Sequence, residues 1–483
     1  MCTVFLGVFV VKLYEQVADD LRDLILKGVY RPGDKLPSIR LLSTQRKISI
    51  ATVQRSLEEL ELRGLIEVRP KSGCYVKMPA DQQKVIHTPL IPLLPKSIKI
   101  HEIASGIFHQ CDEPNTINLG TSYPAAQYFP KKAIQQIATQ IIKVQINDIV
   151  DVHFSPGHSL LRQALAKRMS ENGCQVQADD LIVTNGCLEA LSICLRAVAK
   201  QGDTIAIESP GFVGLFQLIE SLGYQALEIP CHPVDGMSLE ALELALEQWD
   251  IKAVAIVPTF SNPLGANMPI ENRQRLVSML AGKSIPLIED DLFGDLSFDG
   301  SRTKPCKAFD TKGLVLYCSS ASKTIASGLR VGWIAPGAFY KEVSYFKTFS
   351  NISAPNLTQL IVAKFLSSGK YDRYLRQFTA QLATQMYQFQ QAITQYFPAE
   401  TRISRPQGGC ILWIELPKNI DGFELFKKAI AANIAIIPGQ LSSASQKFNH
   451  FIRINCACDP KINIAAVTAK LAVIIHQMQT SKQ

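Results

Sequence analysis

Five short apolar runs, separated by helical stretches, constrain this 483-residue chain more than any other feature. Leu181-Ile182-Val183 leads into Thr184-Asn185-Gly186-Cys187, and Ile205 to Ile207 leads into Glu208-Ser209-Pro210-Gly211-Phe212. Ala253 to Val257 leads into a turn ending at Asn262-Pro263. Ile285 to Ile288 leads into Glu289-Asp290-Asp291, and Leu314 to Tyr317 into Ser319-Ser320-Ala321-Ser322-Lys323. Runs of this length alternating with helices read as a mostly parallel sheet with helices on both faces, an α/β fold. Ligands of open α/β sheets bind beyond the carboxyl ends of the strands. The polar residues that follow the five runs are therefore expected to meet at one site.

That set of groups has one economical chemical reading. Lys323, in a small-residue loop after a strand, can form a Schiff base with an aldehyde cofactor. Asp290 at a strand end can pair with a pyridinium nitrogen and keep it protonated. Arg330 can fork onto a phosphate dianion, helped by the Ser320 and Ser322 hydroxyls. Gly186 and Cys187 begin a helix whose free N–H groups and positive end suit the same phosphate. Asn262 can donate to a ring oxygen, and Phe212 can stack on the ring face.

From Asn118 onward the chain resembles the fold-type I, class I/II aminotransferases, through "FSPGHSLLRQALAKRM", "TNGCLEAL", "SKTIASGLRVGW", "PQGGCILWIELP" and "FIRIN". The resemblance implies a pyridoxal 5'-phosphate (PLP) transferase domain over 116–483, with a smaller α+β subdomain from about 370. It implies Lys323 and Asp290 as the catalytic pair, and it assigns Asn262, Phe212 and Arg330 the roles just given. It adds Arg453 as the group that binds a substrate or effector carboxylate. One departure stands out. Many relatives carry a tyrosine two or three residues after the aspartate, bonded to the ring oxygen; here those positions are Leu292 and Phe293.

The first 80 residues differ in character. Between Arg31 and Arg55 lie six basic residues and one acid, a local positive surface suited to a phosphate backbone. Leu13, Val17, Leu21, Leu24 and Ile25 recur at helical spacing over Lys12 to Lys27. Ser38 and Ser49 are placed to cap two further helices, and Gly64 to end the third. Short strands at Leu65 to Arg69 and Cys74 to Lys77 flank a turn. This stretch, "GVYRPGDKLPSIRLLS" and "ISIATVQRSLEELELRGLIEVRPKSGCYV", resembles the GntR family of winged helix-turn-helix readers. By that resemblance residues 11–79 bind DNA. Arg40, Ser49, Thr52 and Gln54 would address the major groove or its phosphates, and Lys71 and Gly73 would form the wing tip. A glutamine amide can read adenine in bidentate fashion, which favours Gln54 as the base reader.

Residues 80–115 carry Pro89, Pro92 and Pro95 without a clear core pattern and are expected to be an extended linker, with a short helix over His101 to His109. Twelve cysteines without a C-x-x-C pair argue against zinc and against a disulfide framework, so no metal is expected and the thiols fit a reducing cytoplasm. The apolar start Met1 to Val11 is shorter than the roughly 20 residues that span a bilayer, so no membrane association is expected.

A GntR-type reader ahead of an aminotransferase-like domain resembles the MocR subfamily of transcription regulators. That implies a homodimer, a double-stranded DNA operator and an effector that is PLP or an amino compound acting on it. Two alternatives stay open: a working aminotransferase of an amino acid or amine with an accessory reader, and a regulator whose pocket is only structural. Restoring the missing donor with Phe293→Tyr is expected to move the pH midpoint of the cofactor's visible absorption downward, read by spectrophotometric titration.

Overall fold

The computed structural model describes residues 13–26, 34–46, 48–63, 65–69, 72–76, 86, 93–111, 113–152, 154 and 156–480. Lys71, the 31–33 turn, Gly64 and the apolar start lie outside the described residues. The chain divides into two compact units, 1–84 and 85–483.

In the first unit, helices Leu13–Leu26, Ile39–Arg46 and Ile50–Leu62 precede a hairpin of Ile66–Arg69 and Gly73–Val76, with Ile66 opposite Val76. The apolar stripe read from the sequence makes the core: Val17, Leu21, Ile25, Val53, Leu57 and Leu60 are buried together with Ile66. Both expected caps form. The Leu41 amide donates to Ser38 Oγ at 3.3 Å, and the Thr52 amide donates to Ser49 Oγ at 3.1 Å, which satisfies amides that a helix start leaves without partners. Arg46–Asp20 and Arg63–Asp19 ion pairs at 2.6 and 2.7 Å tie both later helices to the first. Their solvent exposure keeps each one's contribution small.

The second unit is built on an eight-stranded sheet. Its order is Ile182–Thr184, Gly332–Ala335, Val315–Ser320, Leu287–Asp290, Ile251–Ile256, Thr204–Ser209, Gln225–His232 and Gly236–Met237. The central five run parallel, while Gly332–Ala335 lies antiparallel to both of its neighbours. All five expected strands are present within three residues of their predicted ends. The smaller subdomain follows the long helix Lys370–Tyr396. It packs helices Gly422–Ala431 and Ile464–Thr480 with an antiparallel sheet of Arg402–Ile403, Ile411–Glu415, Phe451–Asn455 and Ile437–Pro438. Trp413, stacked 5.3 Å from Phe451, is fully buried.

Much of the stretch expected as linker is packed onto this unit. Lys96 exchanges both backbone hydrogen bonds with Ala226, each 2.9 Å, beside strand Gln225–His232. The helix His101–Cys111 then buries Ala104, Ile107 and Cys111 in the main core, behind Ile98 and Ile100. The short helix expected from His101 is thus present; its packing was missed, because its apolar residues are few and follow prolines.

Leu60 is completely buried in the first unit. Leu60→Ala is expected to cost about 2–5 kcal/mol and to accelerate proteolytic cleavage within residues 13–76, read by timed proteolysis and peptide mapping.

Candidate functional site

The five strand ends open onto one cavity of about 310 Å³, within the range of pockets that hold a cofactor-sized molecule. Asp290, Lys323, Arg330, Ser320 and Ser322 line it, and so do Asn262, Phe212, Cys187 and Arg453. Gly186 stands just behind Arg330. The expected cofactor set is thus brought together, along with the arginine from the smaller subdomain.

Lys323 follows strand Val315–Ser320 and is 3% exposed. Its Nζ donates to the Ser122 carbonyl at 2.8 Å and lies 3.5 Å from the centre of the Tyr123 ring. Burial pulls its ammonium down to about 8, with the Arg453 guanidinium adding to the fall. A larger share of the amine is therefore neutral and nucleophilic near neutral pH than in a solvated lysine. Asp290 ends strand Leu287–Asp290, and its Oδ1 accepts from the Cys187 thiol at 3.3 Å. Burial pushes its carboxyl up to about 6, against the pull of that thiol. A buried carboxylate in this state favours a cationic N–H partner.

Arg330 adopts a left-handed backbone, φ 51°. Its guanidinium donates to Ser322 Oγ and to the Asn185 carbonyl, each at 3.2 Å. It lies across the start of helix Cys187–Val198. Gly186 has φ 95°, and a Cβ there would collide with Arg330 Nη2. Only glycine leaves the helix start and the guanidinium this close, and together they form a cradle for a dianion.

Arg453, on strand Phe451–Asn455, is 2% exposed. Its Nη1 donates to Asn262 Oδ1 at 3.1 Å, its Nη2 donates to the Gly120 carbonyl, and its Nε has no partner. Burial lowers it to about 10. No carboxylate among the described residues pairs with it. Buried charges are normally paired, so this guanidinium is held ready for an anion.

Several contributors were not foreseen. Ser122 and Tyr123 follow the two-residue strand Ile117–Asn118, which is too short to announce itself. Phe108 comes from the helix taken for part of a linker. Phe293, one of the two positions singled out in the sequence, also lines the cavity, 2% exposed, with Lys323 Nζ 5.9 Å from its ring centre. Cys187 also contributes its thiol, which donates to Asp290 Oδ1. Asn262 uses its Oδ1 to accept from Arg453, a bond that does not involve its donor nitrogen.

These groups fit pyridoxal 5'-phosphate. The cradle at Gly186 and Arg330 matches a phosphate, Asp290 a ring nitrogen that carries a proton, and the depressed Lys323 amine an aldehyde.

In the first unit Arg40 and Gln54 are exposed on the second and third helices, and Gly73 opens the second hairpin strand with φ 119°. Ser49 and Thr52 turn toward each other, Oγ to Oγ1 2.8 Å, in the helix cap. Lys35 belongs to the basic run noted in the sequence, whereas Arg69 was not foreseen. They lie over the Tyr75 ring at 6.0 and 4.4 Å, adding positive charge to the hairpin.

Comparison with known proteins agrees with both halves. The family model for aminotransferase class I and II matches residues 114–470, and that for bacterial regulatory proteins of the gntR family matches residues 13–76. The chain is similar to the HTH-type transcriptional regulators YjiR and YdcR of Escherichia coli. It is 35% identical to YjiR, over 92% of this chain and 94% of that one. It is 34% identical to YdcR, over 92% and 95%. The multiple substrate aminotransferase of Thermococcus profundus shares the fold with a TM-score of 0.73, at 24% identity, over 78% of this chain and 95% of that one.

A methyl group at Gly186 would strike Arg330 and strain a positive φ. Gly186→Ala is expected to weaken PLP binding by about tenfold or more, equivalent to a lost charged hydrogen bond, read by equilibrium dialysis.

Proposed function

Because this chain belongs to the aminotransferase class I and II family and carries a gntR-family reader ahead of that domain, we propose that it is a PLP-dependent, DNA-binding transcription regulator that senses an amino compound. One observation carries the sensing half. Arg453 is a buried guanidinium with an unpartnered Nε, in the same cavity as a lysine whose amine is depressed to about 8. An amino acid presents the two complements: a carboxylate for Arg453 and an amine for the region of Lys323.

Bound in the cavity, PLP supplies an aldehyde that condenses with amines and a ring that withdraws electrons. The chain's own residues hold and tune it. Gly186, Cys187 and Arg330 hold the phosphate, with Ser320 and Ser322 beside them. Asp290 keeps a proton on the ring nitrogen, and the Cys187 thiol fixes the carboxylate's other oxygen. Phe212 covers a ring face, Asn262 addresses the ring oxygen, and Lys323 offers its amine. Arg453 orients the effector's carboxylate.

In the reader, Arg40 and Gln54, with the caps Ser49 and Thr52, are assigned to the major groove of an operator. Lys71 and Gly73 are assigned to the wing. Such a regulator works in the cytoplasm, and among the described residues no helix is long and apolar enough to cross a membrane. From Ile142 to Phe154 six apolar side chains stand exposed, among them Val150 at 69% and Phe154 at 70%. A surface of this kind favours burial against a second copy, and a homodimer would present two readers to a repeated operator. An effector changes DNA affinity only if it binds two states of the protein unequally.

A second reading, transamination with an accessory reader, draws support from the complete Lys323–Asp290 pair. Conversion of a keto acid by the purified protein without operator binding would favour it.

The test has two arms. Borohydride reduction of the PLP-loaded protein followed by peptide mass analysis is expected to place a phosphopyridoxyl group on Lys323. Selection from random duplex DNA is expected to enrich one repeated sequence, whose affinity for the protein changes at least threefold with a bound amino acid. An adduct elsewhere, or no enriched sequence, defeats the proposal.

A further inference from the structure

Among the described residues, four charged side chains line the cavity: Asp290, Lys323, Arg330 and Arg453. The function proposed above engages every one of them, three with the cofactor and Arg453 with a carboxylate. The rest of the wall is uncharged. Away from the strand ends it includes Phe108, Tyr123, Leu188, Gln217 and Phe293, with the small polar Thr121 and Ser122. An effector's own side chain must lie against this remainder.

Phe108 is the part of that wall with a firm mount. Its helix, His101–Cys111, buries Ala104, Ile107 and Cys111 on the side facing the core. The backbone amides of Ile100 and His101 both donate to Glu220 Oε2, at 2.9 and 3.0 Å, on the helix that starts at Val213. Gln217 on that same helix meets His101 Nδ1 at 3.3 Å, so the wall's amide already has a partner. Phe108 itself is half-buried, packed on the core while it edges the cavity.

We infer that the effector is an amino acid with a large uncharged side chain, aromatic or aliphatic, and that Phe108 sets this preference. The inference rests on the regulator reading and names the class of ligand for its cavity. A carboxylate or ammonium at the end of the effector's side chain would lose hydration against this wall without gaining a counter-charge. An apolar side chain gains by leaving water and by contact with the Phe108 ring.

The test uses the full-length, PLP-loaded protein and isothermal calorimetry with L-phenylalanine, L-glutamate and L-lysine, each preparation first checked for the cofactor's visible band. L-Phenylalanine is expected to bind about tenfold or more tightly than either charged amino acid. Phe108→Ala is expected to remove most of that margin, and Phe108→Arg to move it toward L-glutamate. L-Glutamate or L-lysine binding as tightly as L-phenylalanine overturns the inference, and so does a margin unchanged in Phe108→Ala. Absence of the visible band in the unaltered protein overturns the cofactor assignment, and this inference falls with it. A band without side-chain preference overturns this inference alone.

Discussion

Charge kept from water without its counter-charge governs the design of the large unit. Lys323 and Arg453 are almost wholly buried, and no carboxylate among the described residues bonds either one. Asp290 is buried near them with a thiol as its side-chain donor. Isolated ions in such surroundings are costly, and the cost appears as displaced proton affinities: the lysine falls to about 8 and the carboxyl rises to about 6. The fold tolerates this because hundreds of residues of packed sheet and helix support the strand ends. Complementary charges on a ligand relieve the imbalance, so the pocket is prepared for binding before anything enters it.

The strand ends stay in place through a second set of charges behind them, which pair with one another. Arg302 bridges Asp291 and Asp295. Tyr317 donates to Asp291 at 2.8 Å, and Tyr371 donates to Asp295 at 2.7 Å. Asp291 adjoins Asp290 in the chain, and its backbone amide is bonded to the Cys318 carbonyl of the strand that leads to Lys323. Paired charges at the back thus hold unpaired ones at the front, a division of labour between stability and chemistry.

Five of the sheet's eight strands were readable because they are continuous apolar runs closed by glycine, asparagine, aspartate and serine, and the site was readable because open parallel sheets gather such closures at one edge. The reader was readable from its helical periodicity and its two serine caps. What escaped has a common cause. Ser122 and Tyr123 follow a strand of two residues, below any detectable period. Phe108 sits on a helix whose apolar face has only a few positions and stands behind prolines. The Cys187 thiol contact depends on a side-chain direction that no spacing encodes. Long-range packing supplied these three, and local pattern could not.

The backbone exchange between Lys96 and Ala226 bears on where this molecule can be cut. The aminotransferase match begins at residue 114, yet Ile98, Ile100, Ala104 and Ile107 are core residues of the same body. A fragment started at the homology boundary would bare an oily strip along Gln225–His232 and the helix from Val213, and would invite clumping. A fragment begun at the unit boundary, residue 85, would keep that strip covered and retain Ile86, which is buried in the same body. The start of the family match and the border at which the polypeptide can be divided are about thirty residues apart.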